Sequence, residues 1–132
     1  MKGKPINPWN WQDQLGFSQA IEVSGAQRTI YCAGQASVDA EGNPINKGDM
    51  VAQVNQALDN LEKVLRQAGL ELGNVVRLNY YTTNVSRFLE AGLGPITGRL
   101  AKAGCAPAAT LLGVASLFHP DAMIEIEATA IA

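Results

Sequence analysis

Two carboxylates stand two residues apart near the end of the chain, Glu125 and Glu127 in MIEIEATAIA, residues 123–132. The alternation marks a strand. Ile124, Ile126, Ala128 and Ala130 take one face; Glu125, Glu127, Thr129 and Ile131 take the other. Carboxylates on a shared face either meet water or do chemistry as acid, base or cation ligand. The remaining reactive groups are few. Cys32 and Cys105 are the two cysteines and His119 the one histidine. They have no CxxC or Cys/His spacing, so no metal or cofactor is implied. A free cysteine in a strand, as at Cys32, behaves as a small hydrophobe. Cys105 precedes a break at Pro107 and reads the same way. His119 falls in FHPDA, a turn.

The composition narrows the classes. The 132 residues make one ordinary domain, here read as a single unit over 1–132 with an irregular segment over 1–15. Ten basic against twelve acidic residues leave a formal charge of −2. That gives no electrostatic case for nucleic-acid binding. The apolar stretches are too short to span a bilayer. The opening MKGKPINPWNWQDQLG has no apolar run of the secretory kind, so a cytoplasmic location is expected.

The elements that must position the carboxylates follow from periodicity. AIEV (20–23) and RTIYCA (28–33) read as a hairpin across SGAQ. DAEGNPINKGD is a turn-rich excursion. Asp49 is placed to cap a helix whose apolar stripe is Met50, Val54, Ala57, Leu58, Leu61, Val64, Leu65 and Ala68, ended by Gly69. NVVRLNYYTTN is a strand, with Val76, Leu78, Tyr80 and Thr82 on one face and Arg77, Asn79, Tyr81 and Thr83 on the other. A second helix runs over 86–103, GCAPAAT is a break, and TLLGVASLF is a strand before the last one. The order ββαβαββ predicts an α+β two-layer sandwich, a mixed sheet covered by two helices. The uncovered sheet face, with Arg77, Asn79, Tyr81, Glu125 and Glu127, is either wet or closed by other copies.

Five segments in this order resemble the Rid proteins, also called YjgF-like, or by an older label L-PSP endoribonucleases. GFSQAIEV (16–23) is similar to that family's PYSQA segment, and IYCAGQ (30–35) to its IYVSGQ. Residues 53–84 resemble its long helix and following strand. APAAT (106–110) stands where the family has PARS or PART, and IEIEATA (124–130) nearly repeats its IEIEAIA. The resemblance covers residues 16–132. It implies a chorismate-mutase-like fold and a homotrimer with small-molecule clefts between subunits. It implies that Glu125 lines the cleft and places a water against an imine or enamine. Gly34 and Gln35 fall in the GQ turn beside that cleft, where Gln35 would bond a ligand or the turn alone. Trp9 and Trp11 would either wall the cleft or anchor their own segment.

Three positions depart from the pattern, all toward apolar residues. The PAR arginine falls at Ala109, the PYSQ tyrosine at Phe17 and the SGQ serine at Ala33. An arginine grips a carboxylate through two charge-assisted hydrogen bonds, and alanine offers none. These departures count against the usual 2-imino-acid deamination. Two readings stay open: an imine or enamine hydrolase of altered specificity, or a non-catalytic metabolite-binding or regulatory homotrimer. In the first, a ligand would meet backbone N–H groups near Ala109 and Thr110, and Arg77 or Arg99 are the possible replacement cations. Charge and the lone histidine argue against ribonuclease action.

Overall fold

The structure is a computed structural model and describes residues 3–132. Its centre is the helix α1, Met50–Gln67. Asp49 caps it by accepting from the Ala52 N–H at 3.0 Å. Gly69, at φ 77°, ends it in the left-handed region that favours glycine. Met50, Val54, Ala57, Leu58, Leu61 and Leu65 are buried as the stripe requires, whereas Val64 lies at its exposed margin. A buried side chain of this size contributes about 1.5–3 kcal/mol, so the stripe fixes the helix on the sheet.

Gln53 is buried within the same stripe, and its side chain is fully used. Its Nε2 donates to the carbonyls of Asn46 (3.2 Å) and Asp121 (2.9 Å), and its Oε1 accepts from the Met123 N–H at 2.8 Å. It thereby ties α1 to the turn that leads into the last strand.

Four strands form the main sheet: β3 (Thr29–Ala36), β4 (Val75–Thr82), β5 (Ala108–Gly113) and β6 (Ile124–Ile131). Their spatial order is β3-β6-β4-β5, antiparallel except for the parallel β4–β5 pair. Helix α1 packs on β3 and β6. The second helical segment is α2 (Val85–Arg87), a π turn over Phe88–Gly92, and α3 (Leu93–Ala103). Arg99 on α3 reaches back to α1, pairing with Asp59 at 2.9 Å and with Glu62. The α+β two-layer sandwich is as the sequence predicts.

Several local expectations need correction. The predicted hairpin does not form. The short strand β2 (Ala20–Glu22) pairs with β1 (Lys4–Ile6) in a separate two-stranded sheet. The segment over 1–15, expected to be irregular, thus contains β1 and a 3₁₀ turn over Asp13–Leu15. The strand expected over 110–118 begins earlier and stops at Gly113, because β4, its parallel partner, ends at Thr82. The Val114 N–H donates to the Thr82 carbonyl at 2.9 Å as the last such bond. In β4 a register shift between Val75 and Arg77 puts Val75, not Val76, into the core, ahead of Leu78, Tyr80 and Thr82. One extra residue at a bulge reverses the faces before it.

Candidate functional site

The strand β5 is an edge of the main sheet, so one row of its N–H and C=O groups lacks a strand partner beyond an isolated bridge to Ser18. A cavity of about 260 Å³ lies along it. Ala109, Thr110 and Leu111 supply one wall and Tyr80 of β4 another. Phe88, Leu89 and Leu93 close it from the helical side, and Leu15 and Phe17 from the N-terminal segment. The N-terminal wall is fastened in place. The buried Ser18 donates through Oγ to the Ala106 carbonyl at 2.5 Å and through its N–H to that of Pro107 at 3.1 Å. Trp11 meets Phe17 edge to face, with ring centroids 5.9 Å apart.

Phe17, Ala109 and Thr110 therefore come together. Among the described residues that line it, Thr110 and Tyr80 are the polar ones and none is charged. Burial pushes the Tyr80 hydroxyl up, so it stays protonated across the physiological range. The two proposed replacement cations separate. Arg99 is committed to Asp59 and Glu62. Arg77 lies on the uncovered sheet face and donates from Nη2 to Thr110 Oγ1 at 2.9 Å.

Glu125 and Gly34 make a second locus. On β6, Glu125 stands between Ala36 of β3 and Tyr81 of β4. Its side chain folds over Gly34. A Cβ built there would lie 2.5 Å from Glu125 Oε1 and 2.8 Å from Cγ. Gly34 is thus required by close approach of a carboxylate and not by a positive φ. Ala33 and Gly34 sit at the register shift between Cys32 and Gln35, both exposed. The Gln35 side chain donates to the Ala33 carbonyl at 3.1 Å, which serves the turn. None of Ala33, Gly34, Gln35 and Glu125 lines the cavity beside Phe17 and Ala109 within one chain.

Glu127 is held by its own network. Its Oε1 accepts from Asn79 Nδ2 at 2.9 Å and from the Tyr81 hydroxyl at 2.5 Å. Those bonds, with Arg77 nearby, hold its carboxyl below the ordinary range. The same bond pushes the Tyr81 phenol up. Asn79 Oδ1 is buried without a hydrogen-bond partner among the described residues. Next to this network Tyr31 is 81% exposed.

The other residues singled out from the sequence lie apart from the cavity. Burial pushes the Cys32 thiol up, away from the reactive thiolate, and Cys105 Sγ donates to the Leu72 carbonyl at 3.4 Å. His119 occupies its turn, where Nδ1 accepts from the Asp121 N–H at 3.0 Å. Trp9 is exposed and lines no part of the cavity. Among the described residues no cluster of three metal-ligating side chains occurs, and no helix is long and apolar enough to cross a membrane.

Sequence reasoning missed the helical wall. Phe88, Leu89 and Leu93 flank or occupy the π turn, whose extra residue changes which side chains share a face. The signal available was the pair Phe88-Leu89 ahead of Gly92, Gly94 and Pro95, where the π turn breaks the single helix expected over 86–103.

The family model described as Endoribonuclease L-PSP matches residues 12–132. A RutC family protein of Sulfurisphaera tokodaii is 33% identical over 85 residues, 64% of this chain and 59% of that protein. The chain thus spans about three fifths of that relative's length. The mouse 2-iminobutanoate/2-iminopropanoate deaminase is 35% identical over 72 residues, covering 54% of this chain and 51% of its own. Among solved structures, YyfB of Yersinia pestis, a Rid-family protein of unknown function, is similar over the full length of both chains. Its TM-score is 0.89 and its identity 38%.

Proposed function

Because this chain belongs to the endoribonuclease L-PSP family, also called Rid or YjgF-like, we propose that it acts on a small reactive imine or enamine in a cleft between subunits of a homotrimer. The usual 2-imino acids are not its substrates. The observation that carries the reading is the cavity along β5. It gathers Phe17, Ala109 and Thr110 with no charged side chain in its lining. A carboxylate placed there would be buried without a partner, at a cost of several kcal/mol.

Glu125 is the acid/base of this proposal. In one chain it lies apart from the cavity, so a neighbouring copy would bring the two loci together. The uncovered sheet face supports such a neighbour, since it leaves Tyr31 exposed and Asn79 Oδ1 unpartnered among the described residues. Glu125 would take a proton from water as the water oxygen adds to the C=N carbon and the nitrogen gains a proton. The carbinolamine then collapses to the carbonyl and releases ammonia. General acid–base help of this kind is worth about 10²–10⁴-fold. Glu125→Gln should lower kcat by that order on an imine the protein turns over, while light scattering still gives three chain masses. Unchanged kcat would remove Glu125 from the role, and a single chain mass would remove the cleft.

One observation favours a second reading, a metabolite-binding homotrimer without catalysis. Among the described residues lining the cavity, only Thr110 and Tyr80 are polar, and neither is an acid or base near neutral pH. Saturable binding without turnover, unaffected by Glu125→Gln, is its expected behaviour.

A further inference from the structure

The cavity's size and chemistry define what fits it. An apolar cavity of roughly 150 Å³ takes a benzene ring. This one is about 260 Å³, room for a fused or substituted ring. Phe17 and Tyr80 are the aromatic rings that reach its surface, and Phe88, fully buried, packs on Tyr80 with centroids 5.7 Å apart. Flat faces of this kind favour a flat ligand through stacked or edge contacts. The polar groups available are neutral and few. Thr110 stands opposite Asn79 and its Oγ1 accepts from Arg77 on the uncovered sheet face, so Tyr80 carries the side-chain hydroxyl on the covered face. The Tyr80 hydroxyl stays protonated. The open edge of β5 adds backbone N–H and C=O groups.

We propose that the cavity along β5 takes an uncharged, flat ring system of about two fused rings bearing one hydrogen-bonding group, and rejects its carboxylate analogue. The proposal names the ligand class of the site proposed above and rests on that reading for its place in a cleft, though not for the binding itself. Arg77, which bonds Thr110, lies on the other sheet face and outside the lining. An anion in the cavity would have to reach past Thr110 to meet it.

The test is calorimetric titration of the intact protein with 2-naphthol and 2-naphthoate, equal in ring size and different in charge. The expected result is saturable 2-naphthol binding, one per chain, with 2-naphthoate at least tenfold weaker. Ala109→Arg, which returns a cation to the wall, should reverse the preference. Leu89→Trp, at a half-exposed wall position, should abolish 2-naphthol binding by filling the space. No saturable 2-naphthol binding overturns the proposal. So does binding that Leu89→Trp leaves intact, or 2-naphthoate binding of equal strength, including any that Arg77→Gln abolishes. Failure of the cleft reading looks different: light scattering gives one chain mass, or Glu125→Gln leaves turnover unchanged, while 2-naphthol still binds. Turnover of small imines without 2-naphthol binding leaves that reading standing and removes this inference.

Discussion

Replacing Gly34 with alanine should destabilise the protein when Glu125 is present and stabilise it when Glu125 is removed. The added Cβ would stand 2.5 Å from Glu125 Oε1, 2.7 Å from Cδ and 2.8 Å from Cγ. Ordinary carbon–carbon contacts lie at about 3.5–4.0 Å. Because Cγ clashes as well as the carboxylate, a turn of the carboxylate alone gives no relief, and the whole side chain must leave its rotamer. Forcing a methyl into a filled site costs about 1–3 kcal/mol. Gly34 has no positive φ, so alanine fits the backbone and returns about 0.4–1 kcal/mol through the unfolded chain. The net loss is about 0.5–2 kcal/mol, or roughly 2–8 °C in Tm for a domain of this size. In the Glu125→Ala background only the gain remains. A double-mutant cycle by urea unfolding, at one fixed chain concentration because assembly shifts apparent stability, should give a coupling of about 1–3 kcal/mol. Additive effects would refute the packing of Glu125 on Gly34, and with it the pairing of those residues at one locus.

Further consequences can be measured alongside. Tyr81→Phe removes a bond that holds Glu127 below its ordinary value of 4.5. A carboxyl depressed in the folded state adds stability that is full above the unfolded value and lost as pH falls through the folded one. The variant should therefore show a raised Glu127 midpoint by carboxyl carbon NMR and begin acid unfolding at higher pH; an unmoved midpoint would contradict the network. Gln53→Leu strands the Asp121 carbonyl and the Met123 N–H, the Asn46 carbonyl keeping the Asp49 N–H, and at about 1–3 kcal/mol for each buried group left unpaired it should cost at least about 2 kcal/mol in urea unfolding. Phe88→Ala deletes a fully buried ring and should cost about 3–5 kcal/mol. Asp49→Ala removes the α1 cap and should cost about 0.5–2 kcal/mol, read by the same assay.

What the sequence discloses depends on how local the cause is. Helix α1 is legible because a stripe, a cap and a terminal glycine lie within twenty-one consecutive residues, Asp49–Gly69. The strand β6 is legible because its alternation matches its burial from Ile124 to Ala130. The pairing of β2 is not, since its partner Lys4–Ile6 is three residues long and includes Pro5, which has no N–H to donate. The bulge at Val75–Arg77 leaves no mark in a run of valines. At the site, the loss of polar groups at Phe17 and Ala109 is plain from residue type. The cavity those residues share with Leu89 and Leu93 depends on a π turn, which no periodicity announces. The place of Gly34 under Glu125 depends on two strands distant in sequence meeting at one register.

A cavity with no charged side chain in its lining should not serve the usual carboxylate-bearing substrates. The most direct test is the rate of hydrolysis of freshly generated 2-aminoacrylate, with an arginine-containing Rid protein as the control. The wild-type chain should give no acceleration over buffer while the control accelerates the reaction strongly. Acceleration comparable to the control's, lost in Arg77→Gln, would contradict this and show that Arg77 holds the carboxylate through the Thr110 side of the sheet.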